Sequence, residues 1–163
     1  MTITESLVDI PVRFDFDQLV PQFSRAVASL DHAATVELDR AGFDPALRDL
    51  VRLRASQLNG CAYCVDMHSK DARSAGVTDQ KLHAVAIWQD SALFTSAERA
   101  ALEFSESVTR LAETHVPDAV VDRARAELGE ERLAALLALV VAINVWNAIG
   151  VTARCWSVHR DAA

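Results

Sequence analysis

Alternation is what this chain most plainly lacks. No segment sustains the apolar–polar period of two that a half-buried strand needs, so the fold class is read as all-α, with about seven helices. Cysteine is scarce: three residues, an odd number, argue against a structural disulfide framework. Lysine and arginine nowhere gather into a block, and the net charge is −7, so no nucleic-acid partner is expected. There is no repeat, no low-complexity tract and no linker rich in Gly, Ser or Pro. One domain over 1–163, with its core at about 20–157, follows; that length can bury a core without staples. Met1–Phe14 carries Glu5, Asp9 and Pro11 in place of a basic start and an apolar run. No secretory signal is read there, and a cytoplasmic location, where thiols stay reduced, is expected.

What is present is helical periodicity. Residues 1–15 read as an extended lead-in. Phe16–Arg40 places Leu19, Phe23, Val27, Leu30, Ala34 and Leu38 at helical spacing, with Pro21 in its first turn and Gly42 as its stop. Asp44-Pro45 opens a helix that ends at Asn59-Gly60. The next runs from about Cys61 to Gly76, and Thr78 caps a short one. Thr95 to Glu98 fits a capping box, for a helix reaching about Glu113. Pro117 opens another, closed by Gly129, and Glu130–Trp156 is a long apolar helix, with a frayed end from His159. Leu133 to Ala153 holds no charged residue, long enough to span a bilayer. Asn144 and Asn147 within it, and the amphipathic helices that need an apolar partner, favour a central helix buried by its own domain and neighbouring subunits; no membrane partner is expected.

The chemistry concentrates in Asn59-Gly60-Cys61-Ala62-Tyr63-Cys64-Val65-Asp66-Met67-His68. On a helix, positions 61, 64 and 68 share one face. Two cysteines at a helix start can bridge, and lie near unpaired N–H groups and the positive end of the dipole, which favour thiolate. His68, one turn after Cys64, can accept a thiol proton or stabilise a thiolate. A zinc site would need Cys61, Cys64 and His68 plus a fourth ligand, His83 or His115. No second ligand pair is visible, so no metal and no other cofactor is expected. Cys155 reads as buried and inert within the last helix. A thioredoxin fold is disfavoured, because no strand precedes the pair.

The run Leu50 to His68, with Ser56-Gln57-Leu58-Asn59-Gly60-Cys61 at its centre, resembles the alkyl hydroperoxidase D-like (AhpD-like) proteins of the carboxymuconolactone decarboxylase superfamily. The likeness continues through Lys70-Asp71-Ala72-Arg73 and Gly76, Glu98 to Leu102, Thr114 to Pro117, and Ile143 to Asn147. It implies an all-helical fold assembled as a homo-oligomer, trimer or hexamer, and a thiol-dependent peroxidase or disulfide reductase activity. It assigns the redox pair to Cys61 and Cys64 and a proton relay to His68. The family's relay glutamate, twelve residues before the first cysteine, falls on Asp49, one methylene shorter. Tyr63 stands where some members carry a histidine. Ser56 and Gln57 shape the turn before the site; Asn144 and Trp146 read as packing and interface residues. Decarboxylase members lack the cysteine pair, so that activity is disfavoured.

The expected function is thus an alkylhydroperoxidase-like enzyme. Its substrate is a hydroperoxide, its reductant a lipoyl or thioredoxin-type dithiol protein, and its catalytic residues Cys61, Cys64, His68 and Asp49. The alternative is a non-catalytic redox-sensing or structural module whose disulfide controls assembly.

Overall fold

The computed structural model describes residues 8–158. Those residues form nine α-helices and no strand: α1 Phe16–Leu19, α2 Pro21–Arg40, α3 Pro45–Asn59, α4 Ala62–Ser74, α5 Asp79–Ala84, α6 Ser96–Thr109, α7 Leu111–Thr114, α8 Asp118–Leu128 and α9 Glu130–Ala153. A 3₁₀ segment, Val85–Asp90, follows α5.

Most boundaries follow local chemistry. The Asp44 carboxylate accepts from the Ala46 N–H at 2.8 Å, with Pro45 opening α3. Thr95 and Glu98 form the reciprocal capping box that starts α6. The expected Phe16–Arg40 helix is two helices. Val20, preceding Pro21, adopts φ −131° and ψ 58°; proline sterically disfavours the α conformation in the residue before it. The helix expected to reach Glu113 also breaks, at Arg110. There the Thr114 hydroxyl donates to the Ser107 carbonyl at 2.7 Å and Ser107 donates to Thr114 at 3.1 Å, side-chain bonds that compete with helix continuation. The last helix stops at Ala153, not Trp156, because Arg154 turns left-handed at φ 51°.

Helix α9 lies at the centre, packed by α2, α3, α6 and α8. Leu136, Leu139 and Val140 on α9 share one buried cluster with Leu50 and Val51 of α3 and Leu102 of α6. Burying one such side chain is worth about 1.5–3 kcal/mol, so this apolar seam is the main source of cohesion. By length and mean hydropathy α9 could cross a bilayer; here Leu136, Ile143 and Asn147 are interior, while Leu137 and Val141 remain exposed.

The described part of the N-terminal lead-in, 8–15, carries no helix or strand and bends at Arg13. It crosses the end of α9: the Arg13 N–H donates to the Ala153 carbonyl at 2.9 Å, and its guanidinium reaches the carbonyls of Val151 and Thr152. A cation there satisfies the terminal carbonyls and suits the negative end of the dipole. The frayed end expected from His159 lies outside the described residues.

Candidate dithiol site

The turn from α3 to α4 builds the site. Gly60 adopts φ 72° and ψ 29°, the left-handed conformation a side chain would resist. Its N–H donates to the Gln57 carbonyl at 3.3 Å, and the Cys61 N–H donates to the Ser56 carbonyl at 3.0 Å. These two bonds are a Schellman closure of α3. They leave Cys61 as the N-cap of α4, its Sγ accepting from the Cys64 N–H at 3.3 Å. The cysteine Cα atoms are 5.3 Å apart and the sulfurs are joined in a disulfide. Both residues are almost fully buried.

Polar bonds to α9 hold that turn. Asn59 donates to the Asn144 and Asn147 side-chain oxygens at 2.8 and 3.0 Å. Asn147, itself buried, donates to the Ser56 hydroxyl at 3.0 Å, and Ser56 donates to the Arg52 carbonyl at 2.7 Å. Ser56 and Gln57 thus shape the turn as expected, and Asn144 packs against it from α9. Gly150 of α9 permits the closest approach: a Cβ there would stand 3.0 Å from Cys61 Sγ and 3.2 Å from the Trp156 ring.

His68 is buried one turn beyond Cys64. Burial, and secondarily the Arg52 guanidinium, lowers its pKa from 6.5 to about 3, so the ring is neutral near pH 7. Its Nδ1 has no hydrogen-bond partner among the described residues, although Asp71 Oδ2 lies 3.4 Å away. Asp49, Asp71 and His68 bring ligand atoms within 4.8 Å of one another. Burial pushes the Asp49 carboxyl above its ordinary range, against the opposing pull of Arg52, whose Nη1 is 3.5 Å from Asp49 Oδ1. Arg52 also reaches Asp31 at 3.6 Å.

The structure therefore brings Cys61, Cys64, His68 and Asp49 into one region. His83 and His115 do not join the cysteines: among the described residues, the one group of His, Cys, Asp and Glu close enough to share an ion is Asp49, His68 and Asp71. The donor types suit a cation, but Arg52 already neutralises Asp49 and opposes further positive charge. Cys155 departs from expectation. It lies beyond the end of α9 and is only half-buried, with burial and then Asp17 raising its thiol pKa.

Sequence reasoning missed several residues of the site. Asp71, Arg52 and Asp31 surround the histidine and Asp49. Trp156 folds back from the tail to contact Tyr63 and Trp146 at centroid distances of 5.6 and 5.5 Å, and its indole N–H donates to Asp17 at 2.9 Å. Of these, only Asp71, three residues after His68 on the same helix, carried a local signal. A pocket of about 340 Å³ opens beside Cys64 and His68, while a separate one, beneath the N-terminal segment, borders Cys61.

An all-helical bundle whose C-x-x-C pair caps a helix, with a histidine buried on the same face, defines a helical dithiol protein. Residues 21–107 match the carboxymuconolactone decarboxylase family, and the chain belongs to it as an AhpD-like member. It is 39% identical over 104 residues to the uncharacterized protein YdfG of Bacillus subtilis (strain 168), covering 64% of this chain and 71% of YdfG. It is 41% identical over 106 residues to the uncharacterized protein YnjA of Escherichia coli (strain K12), covering 64% of this chain and 57% of YnjA. A crystal structure from Agrobacterium tumefaciens, of a protein of unknown function assigned provisionally to AhpD antioxidant defence, superposes with TM-score 0.84 at 33% identity, over 92% of this chain and all of that one. The debrominase Bmp8 shares the fold at TM-score 0.70 and 21% identity, over 84% of this chain and 72% of that one.

Proposed function

We propose that this protein is a thiol-dependent peroxidase of the alkylhydroperoxidase type. The carrying observation is that Cys64 and His68 face one pocket while Cys61, bonded to Cys64, caps the helix. The Cys64 thiolate attacks the outer oxygen of a hydroperoxide. The O–O bond breaks, the alkoxide takes a proton and leaves as an alcohol, and Cys64 becomes a sulfenic acid. The Cys61 thiolate then attacks the Cys64 sulfur, and the expelled hydroxide leaves as water. A dithiol protein, of lipoyl or thioredoxin type, returns two electrons and two protons by exchange. His68 moves protons between the sulfurs and the pocket, and Asp49 works behind it.

Cys64 is assigned the first attack for two reasons. It borders the pocket that His68 lines, whereas Cys61 Sγ sits close to Gly150 and borders the separate pocket beneath the N-terminal segment. His68, neutral beside the disulfide, also follows Cys64 by one helical turn, and a thiolate formed there favours its protonated form by charge attraction. A homo-oligomer, trimer or hexamer, and a reducing cytoplasm complete the reading.

The test is hydroperoxide consumption by wild type, Cys61→Ser, Cys64→Ser and His68→Ala protein, with lipoyl and thioredoxin-type donors in parallel. Sustained turnover by wild type and its loss in both cysteine variants are expected. Wild-type rates retained by Cys64→Ser would refute the mechanism. A single oxidation without turnover, accompanied by a change in assembly state, would favour the sensing module. The burial of both sulfurs is the observation that keeps that second reading in view.

A further inference from the structure

The pocket beside Cys64 has walls of one chemical kind and charge of one sign. Tyr63, Met67, Ile143, Trp146 and Trp156 supply its apolar surface. Its charged lining is Asp17 and Asp31, and among the described residues no Lys or Arg side chain lines it. The two carboxylates differ in how they are held. Asp31 lies 3.6 Å from the Arg52 guanidinium, which also serves Asp49. Among the described residues Asp17 has neutral donors only: Ser24 Oγ–H on Oδ1 at 2.6 Å and the Trp156 indole N–H on Oδ2 at 2.9 Å. Its charge is fixed in place by these bonds but cancelled by neither.

We propose that this pocket selects bulky, uncharged or cationic organic hydroperoxides and turns away those bearing a carboxylate. The proposal rests on the peroxidase reading and names the substrate class that the same site would take. The aromatic walls reward an apolar group in proportion to the area it buries. A carboxylate brought to the same walls gives up its hydration and meets a fixed like charge at short range, where screening by salt is weak. No cation among the described residues lines the pocket to compensate. Hydrogen peroxide, with no apolar group, gains nothing from these walls.

The experiment compares three para-substituted cumene hydroperoxides, carrying a carboxylate, its methyl ester or an aminomethyl group, with hydrogen peroxide as reference. Steady-state turnover is driven by a dithiol donor on wild type and on the Asp17→Asn/Asp31→Asn double variant. The expected kcat/KM for the ester is roughly tenfold above that for the carboxylate, with the cationic compound at least equal to the ester. In the double variant the ester-to-acid ratio falls toward one. A wild-type protein that takes the acid as well as the ester overturns the proposal, as does a ratio unmoved by removal of both charges. Turnover of hydrogen peroxide alongside such a result leaves the peroxidase reading standing and sinks only the selectivity. If none of the four compounds, hydrogen peroxide included, is consumed, both fall together.

Discussion

Acidification tests the buried histidine directly. His68 titrates at about 3 in the folded protein, lowered first by burial and then by the Arg52 charge, against 6.5 for an ordinary histidine. Between those values the unfolded chain binds a proton that the folded chain refuses, so stability rises with pH across the window and is lost as pH falls through it. One unit of pKa difference is worth about 1.36 kcal/mol. Relative to pH 7.5, His68 alone therefore removes about 1.4 kcal/mol of stability at pH 5.5 and about 2.7 kcal/mol at pH 4.5. Both figures are set by the unfolded value so long as the folded value stays well below the working pH. The assay is urea unfolding of the oxidised protein at these three pH values, for wild type and His68→Gln. The other titrating groups act alike in both proteins, so the difference between the two stability curves isolates the histidine. Wild type should lose these amounts more than the variant on acidification. Parallel curves would show that His68 takes up its proton in the fold, and the account of a neutral, desolvated ring would be wrong.

Three further outcomes are expected. Gly150→Ala introduces a Cβ 3.0 Å from Cys61 Sγ and 3.2 Å from Trp156, so a change that ordinarily favours a helix should here destabilise by about 1–2 kcal/mol in urea unfolding. Asn147→Ala removes one of the two acceptors of Asn59 and the donor to Ser56 in a buried setting, and the same measurement should show a loss of about 1–3 kcal/mol. Asp49→Asn removes a carboxylate whose pKa is raised by burial. In a pH profile of kcat/KM, wild type should lose activity as that carboxylate protonates, at a pH above the ordinary aspartate range. The variant should lack that limb and run roughly 100-fold slower at neutral pH.

The parts of the fold and site that were legible in the chain are those encoded within a few residues. The cap at Asp44-Pro45, the Thr95–Glu98 box and the stop at Gly60 are local hydrogen-bonding devices. Cys61, Cys64 and His68 share a face because helical spacing alone puts them there. The break at Val20 was legible in principle, since Pro21 follows it, but the apolar spacing across it hid the rule. What could not be read joins distant segments. Trp156 meets Asp17 across 139 positions and Asn147 meets Ser56 across 91. Arg52 reaches Asp31 on another helix. No periodicity encodes such pairings; they exist only once α2, α3 and α9 have packed. For the same reason Asp49 was placed by resemblance alone, while its burial and its competition with Arg52 needed the fold. Cys155 falls outside α9 because Arg154, just past the uncharged run, turns the chain left-handed, which the helical reading through Trp156 does not anticipate.

The central claim is that Cys61 and Cys64 form a dithiol that spends its two electrons on a hydroperoxide. The most direct measurement is the thiol count of fully reduced protein after one equivalent of cumene hydroperoxide, read under denaturing conditions with the alcohol product quantified alongside. The account predicts a fall from three thiols per chain to one, Cys155 remaining, with one equivalent of cumyl alcohol formed. Three thiols still present after the peroxide has been offered, with no alcohol formed, would contradict it.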